Sequence, residues 1–271
     1  MRRARFTVAY DGTSFNGSAE QVGVPTVMGE LRAAIERITQ RPIEMHGAGR
    51  TDTGVHGWGQ VISLDLPDDT DLVGLQRRIN RLCAPGLAAR DIEWTADPEF
   101  HARFSAVYRH YRYHVLNSKV PNPFVARTAW HITEQLHLPN MVLACDPLIG
   151  EHDFATFCRR PKRAEDEAPK SLVRRVTRAD WKIVQGDTPG LLRFEIRANA
   201  FCHQMVRAIV GTLVDVGLGK LHAGDIRSIL MQRNRQVAGQ VAPPHGLVLW
   251  EVGYPAGQPV AVAGPRRSAG A

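Results

Sequence analysis

The sequence predicts an α+β fold built from two related halves, and three observations predict it. Stretches of alternating apolar and polar residues recur along the chain, the period of a strand with one buried face. Between them lie stretches with apolar residues three or four apart, the period of an amphipathic helix. In the first hundred residues these follow one another as β-α-β-β-α-β, the split-βαβ order of ferredoxin-like and RRM-like folds.

Each element rests on particular residues. In RFTVAY, Phe6, Val8 and Tyr10 alternate with Arg5, Thr7 and Ala9 and predict a strand. In TVMGELRAAIERI, Val27, Leu31, Ala34 and Ile38 take helical spacing. RPIEMHG reads as a short strand ending at a glycine loop, and QVISLDL sets Ile62, Leu64 and Leu66 on one face. Leu72, Leu75, Ile79 and Leu82 mark a second helix, and DIEWTA a short strand. In the second half YRYHV reads as a strand, NMVLACDPLIG as a helix, and LVRRVTRADWKIV with LLRFEIRA as paired strands around QGDTPG. Met205, Ile209, Leu213 and Val216 give a helix, Asp225 to Gln232 another, and GLVLWEV a closing strand.

The halves meet near residues 103–110, and joined sheets would leave a cleft between them. The expected units are residues 1–106, which carry the glycine loop, residues 107–254, and a disordered tail over 255–271. GSAEQVGVPT and the charged stretch Cys158 to Ser171 read as loops.

The chain has 271 residues and a formal net charge of +7. That excess suits an acidic partner, nucleic acid ahead of a membrane surface, and equally suits an arginine-rich proteome. No apolar run is long enough to span a bilayer. MRRARFTVAYDG lacks the apolar stretch and cleavage site of a signal peptide. Cys83, Cys145, Cys158 and Cys202 form no CxxC pair and read as free thiols. A cytoplasmic protein is expected.

The richest stretch is GAGRTDTGVHGWGQV, Gly47 to Val61, with five glycines around one carboxylate, Asp52. A carboxylate in such a loop can serve as nucleophile, general base or metal ligand. Arg50 stands two residues away, on the same face if the segment is extended, where it would hold Asp52 or simply brace the loop. His46 and His56 could bind a metal with Asp52, but neither recurs in a tight ligand motif.

From Phe100 to Val115, Arg103, Arg109 and Arg112 interleave with Phe104, Tyr108, Tyr111 and Tyr113. RNA needs cations for phosphates and rings for unstacked bases; an amphipathic strand burying its tyrosines explains the pattern equally well. The helix in ANAFCHQMVRAIVG is mostly apolar yet carries Arg207, which needs a carboxylate or a phosphate as partner. His203 reads as a capping or packing residue. Cys202 beside it is a poor nucleophile pair, since adjacent side chains point apart.

Taken in order, GAGRTDTGVHGWGQV, FHARFSA with RHYRY, LIGEHDFATFC, ANAFCHQMVRAIVG and APPHGLVLWEV resemble the bacterial tRNA pseudouridine synthase A family, from about residue 4 to about residue 254. The resemblance implies isomerisation of uridines 38, 39 and 40 in the tRNA anticodon stem-loop. It implies two related halves around a central antiparallel sheet, a homodimer, and no metal, nucleotide or other cofactor. By motif position Asp52 matches the catalytic aspartate, Arg50 the arginine that pairs with it and helps flip the base, and Tyr111 the tyrosine that stacks on the uracil. Arg207 matches the residue that salt-bridges the aspartate from the second half. Leu249 matches the apolar wall of the uracil pocket, and Arg103 stands as a further substrate-binding residue. The sequence departs from the family where Gly-Trp-Gln is usual after the first strand and FNGSAEQVGVPT stands instead. Thr53 replaces a commoner alanine, and the Cys158–Ser171 loop is unusually charged. Two other classes stay open, a non-catalytic RNA-binding protein and a metal-dependent RNA hydrolase using His46, Asp52 and His56.

Overall fold

The computed structural model describes residues 1–159 and 171–255. From residue 256 onward the expected tail therefore lies outside the described residues, as do Arg160, Lys162 and Arg163 of the charged loop.

The first segment runs β1 (Arg2–Tyr10), α1 (Val27–Thr39), β2 (Met45–Gly47), β3 (His56–Leu66), α2 (Leu72–Cys83) and β4 (Leu87–Trp94). The second runs β5 (Tyr108–Asn117), β6 (Trp130–Ile132), α3 (Leu138–Leu143), β7 (Gly150–Asp153), β8 (Val173–Ile183), β9 (Leu191–Ala198), α4 (Met205–Gly217), α5 (Asp225–Met231) and β10 (Leu247–Gly253). The chain is a mixed α+β protein around one large, mostly antiparallel sheet, ordered β4-β1-β3-β10-β5-β9-β8-β7. β2 pairs with β3 antiparallel, β6 pairs with β5 parallel, and β10 meets β3 in parallel.

Local chemistry explains most boundaries. α1 starts where the Thr26 side chain accepts the Gly29 N–H at 3.2 Å, and α2 where Asp71 accepts the Gly74 N–H at 3.0 Å. Along β1, Phe6, Val8 and Tyr10 are buried with Leu31 and Ile35 of α1 and Leu75 and Ile79 of α2. Two helix positions differ from the periodic reading. Ile35, not Ile38, sits fully inside α1's buried face, and Leu82 of α2 is exposed while Cys83 is buried. β6 and β7 have no counterpart in the reading; at three and four residues they are too short to show a period.

A second core surrounds α4, whose residues are nearly all buried. It takes in Tyr113, Phe194 and Trp181 from the sheet, and also Ala48, Val55, Val61, Phe100 and Ala102 from the first segment. The two segments thus share packing as well as a sheet. β10 is the junction: Val248 and Leu249 pair with His56 and Gly57 on one side, while the strand runs antiparallel to β5 on the other. Gly59 permits this approach, because a Cβ there would lie 2.3 Å from the Trp250 carbonyl oxygen.

Among the described residues, no helix is long and apolar enough to cross a membrane.

Candidate active site

The glycine loop is pinned from several sides. The Thr51 N–H donates to Ser18 Oγ at 2.8 Å, and the Ser18 N–H donates to the Thr51 carbonyl at 3.0 Å. The Tyr10 and Thr51 hydroxyls lie 2.8 Å apart. Gln60 donates to the Gly49 carbonyl at 2.7 Å and accepts from the Gly49 N–H at 3.3 Å. Asp52 opens a turn in which the Val55 N–H donates to its carbonyl at 3.1 Å. Gly54 takes φ +78° at the turn's third position, where a type II turn requires a positive value.

Arg50 is exposed and makes no ion pair with Asp52 among the described residues. The partner comes from the other segment: Arg207, in the first turn of α4, donates from Nη1 to Asp52 Oδ2 at 3.0 Å. Arg207 Nε donates to the Ala242 carbonyl at 2.7 Å, which fixes the guanidinium. The largely buried cation finds a carboxylate, one of the two partners its apolar helix demanded. His203 Nε2 lies 3.5 Å from Asp52 Oδ1, so both carboxylate oxygens face a nitrogen-bearing side chain. His203 caps nothing: it precedes Gln204, which starts α4 in a left-handed conformation. Adjacency to Arg207 on one turn was the signal for it in the sequence.

These groups line a cleft of about 1480 Å³. Its walls come from residues 16–21, 45–53 and 200–207, with His101, Arg103, Phe104, Arg109, Tyr111, Arg174 and Leu247. Tyr111 is buried on the cleft's sheet side, in edge contact with Phe201 at 5.0 Å between centroids. Burial first, then Tyr10 and Asp52 nearby, push its phenol well above the ordinary range, so the hydroxyl keeps its proton. Tyr113, two residues on, is wholly core, its hydroxyl donating to the Pro243 carbonyl at 2.8 Å. Leu249 does not reach the cleft. It is fully buried at the β3–β10 junction, and Leu247, two residues earlier on β10, supplies an apolar wall residue instead.

The interleaved arginines part company. Arg103 is exposed on the cleft rim. Arg109 turns inward and donates to the carbonyls of Ala48 (2.9 Å), Arg103 (2.6 Å), Asn199 (3.1 Å) and Ala106 (3.3 Å), so it ties the cleft walls together. Arg112 points to the opposite sheet face from Tyr111, as strand alternation dictates, and lies 3.6 Å from the Trp250 ring centroid.

The residues of the metal reading are held apart. His46 stacks on His101 at 4.4 Å. His56 is buried away from Asp52, accepting the Gly12 N–H at 3.0 Å through Nδ1 and lying 2.8 Å from the Arg127 carbonyl through Nε2. Among the described residues, no three His, Cys, Asp or Glu side chains are grouped to hold a metal ion.

Comparison with known proteins joins this geometry to a family. The model of a family described as tRNA pseudouridine synthase matches residues 144–255. A tRNA pseudouridine synthase A of Bacillus velezensis is 39% identical over 254 residues, covering 93% of this chain and 99% of that protein. The protein of the same name from Bacillus subtilis is 38% identical with the same coverage. That of Frankia casuarinae is 40% identical over 257 residues, covering 93% of this chain and 89% of its own. With such identity along nearly all of both chains, and with Asp52 of the glycine loop facing Arg207 across a cleft, this chain belongs to the tRNA pseudouridine synthase A family and is an isomerase.

Proposed function

We propose that the protein converts uridines 38, 39 and 40 of the tRNA anticodon stem-loop to pseudouridine, with Asp52 as the catalytic carboxylate. The observation that carries this reading is the Asp52–Arg207 pair at 3.0 Å, set in a large cleft beside the buried Tyr111. The reaction breaks the N1–C1′ bond, turns the uracil and forms a C5–C1′ bond; the proton leaves C5 and N1 gains one. No co-reactant is consumed. The enzyme must take the base out of its stack at a cost of a few kcal/mol and hold it while detached.

In this reading Arg207 holds and aims Asp52, Tyr111 stacks on the uracil, and Leu247 closes the apolar side. Arg50, free of Asp52, enters the space left by the flipped base or meets a phosphate. Residues 1–106 and 107–254 act as two ferredoxin-like halves whose joined sheet places the site between them. A cytoplasmic homodimer that binds the anticodon arm without metal or nucleotide completes the proposal.

The test is incubation of the purified protein with unmodified tRNA, followed by carbodiimide-dependent primer stops. Stops at positions 38–40 that persist in chelator are expected. Stops elsewhere overturn the positional assignment, and shortened RNA whose formation needs a metal favours a hydrolase.

A further inference from the structure

Phe104 is 76% exposed, although the turn that carries it is rigidly built. The Ser105 N–H donates to the His101 carbonyl at 2.9 Å, the His101 N–H to Ser105 Oγ at 3.0 Å, and the Arg103 N–H to His101 Nδ1 at 3.1 Å. The Ala102 N–H donates to Ser63 Oγ of β3 at 3.0 Å, which anchors the turn to the sheet. A single exposed apolar side chain is ordinary on a protein surface. This one is the outer member of a column of rings. His46 stacks on His101 at 4.4 Å with 24° between planes, and His101 meets Phe104 at 4.5 Å with 40°. All three rings line the cleft that holds Asp52. The Arg103 guanidinium lies 5.6 Å from the Phe104 centroid, a cation beside the outermost ring.

We propose that Phe104 is a stacking platform for the nucleobase next to the target uridine, with Arg103 meeting that nucleotide's phosphate. The proposal rests on the reading of the cleft as an RNA-modifying site. Depth separates the two bases. Tyr111 is buried inside the cleft and serves the base that reacts, whereas Phe104 stands at the rim and serves a neighbour that stays outside. Aromatic stacking tolerates any base, because each has a π-face. A rim platform of this kind lets one site serve adjacent target positions whose neighbours differ. It also holds open the gap left by the departed uridine.

An anticodon-arm hairpin with 2-aminopurine next to the target uridine tests this with the full chain. Binding should quench the fluorescence. Phe104→Leu should lose the quench and bind about tenfold more weakly, within the range a single stacked base contributes. Phe104→Trp, which restores a ring, should keep both. Quenching and affinity in Phe104→Leu equal to those of the unaltered protein overturn the platform; so does binding without quenching by the unaltered protein, or a Trp variant that behaves like Leu. Pseudouridine formation by the unaltered protein reports separately on the underlying reading: if stops appear in tRNA while the variants bind alike, only the platform falls.

Discussion

Arg207 spans the boundary between two segments to hold a carboxylate that its own loop leaves unsupported. The pair is only partly shielded, so its hydrogen bonds to charge are each worth about 1.5–3 kcal/mol rather than the far larger figure of a dry interior. Asp52→Asn keeps the shape of the side chain and removes its charge. It should cost about 1.5–3 kcal/mol in urea denaturation, leave the folded circular-dichroism spectrum intact and abolish pseudouridine formation; turnover by this variant would falsify the role given to Asp52. Arg207→Gln should cost about 1.5–3 kcal/mol in urea denaturation, and the double variant less than the sum of the two singles, since each loses the same partner. The carboxylate was legible in the sequence because one acid among five glycines has few structural reasons to be there. Its partner was legible from composition as a buried cation in need of a carboxylate or phosphate, and the resemblance matched it to the residue that salt-bridges the aspartate. That Leu247 rather than Leu249 lines the cleft could not be read from the alternation, because strand parity fixes a face but not how far along it the cleft extends.

At the level of elements, β5 shows how alternation sorts chemistry. Tyr111, Tyr113 and Val115 face the second core, while Arg112 and His114 face the other side. There Glu195 of β9 is almost wholly covered by Arg112 (3.2 Å), Arg178 (2.9 Å), Lys182 (3.2 Å) and Arg193 (2.9 Å). Burial by itself would raise its carboxyl, but His110, Lys182 and the arginines outweigh that and hold it far below the usual carboxylate range. Burial, with the charges of Arg193 and Arg112, pushes the neighbouring His114 imidazole down to about 4. Below about 6.5 the unfolded chain takes up a proton that folded His114 refuses, so stability present near neutrality is lost as pH falls toward 4. Urea denaturation should show about 2 kcal/mol lost between pH 7 and pH 5, and His114→Gln should remove most of that slope. The β3–β10 contact makes a second prediction. Gly59→Ala should destabilise by about 1–3 kcal/mol, because the added methyl meets backbone that cannot step aside. Gly49→Ala, where a Cβ would meet nothing within 4 Å, should be near neutral in the same melt. From the sequence these glycines look alike, because the strand that Gly59 faces is brought there only by the fold.

For the whole molecule, the proposed function assigns the grip on RNA to the net charge of +7 and the arginines on the cleft walls. Affinity for tRNA should fall with salt, and replacing a phosphate-binding arginine should flatten the log–log slope by about 0.7–0.9. Filter binding of Arg103→Gln at several salt concentrations should show that change, while Asp52→Asn should keep the original slope. Arg109→Gln should instead lose stability, because its guanidinium is already spent on four carbonyls. Element order was legible across both segments because each helix and long strand carries its own period. The shared packing was not: Ala48, Val55, Val61, Phe100 and Ala102 complete a core whose helices lie about a hundred residues further along, and no local pattern announces so distant a partner.

A ribosome meets this architecture in an awkward order. β10 fills the gap between β3 and β5, yet it emerges after both and after every helix described. Until Leu247–Gly253 clears the exit tunnel, the nascent chain carries an unpaired edge along Tyr108–Tyr113 and another at His56–Gly57. Open edges recruit strands from other chains. A transcript cut short before Leu247 would therefore yield two unfinished sheets prone to cluster with their neighbours, not a shortened enzyme. Asp52 and Arg207 would both have been made by then, but the strand that sews their two segments into one sheet would not.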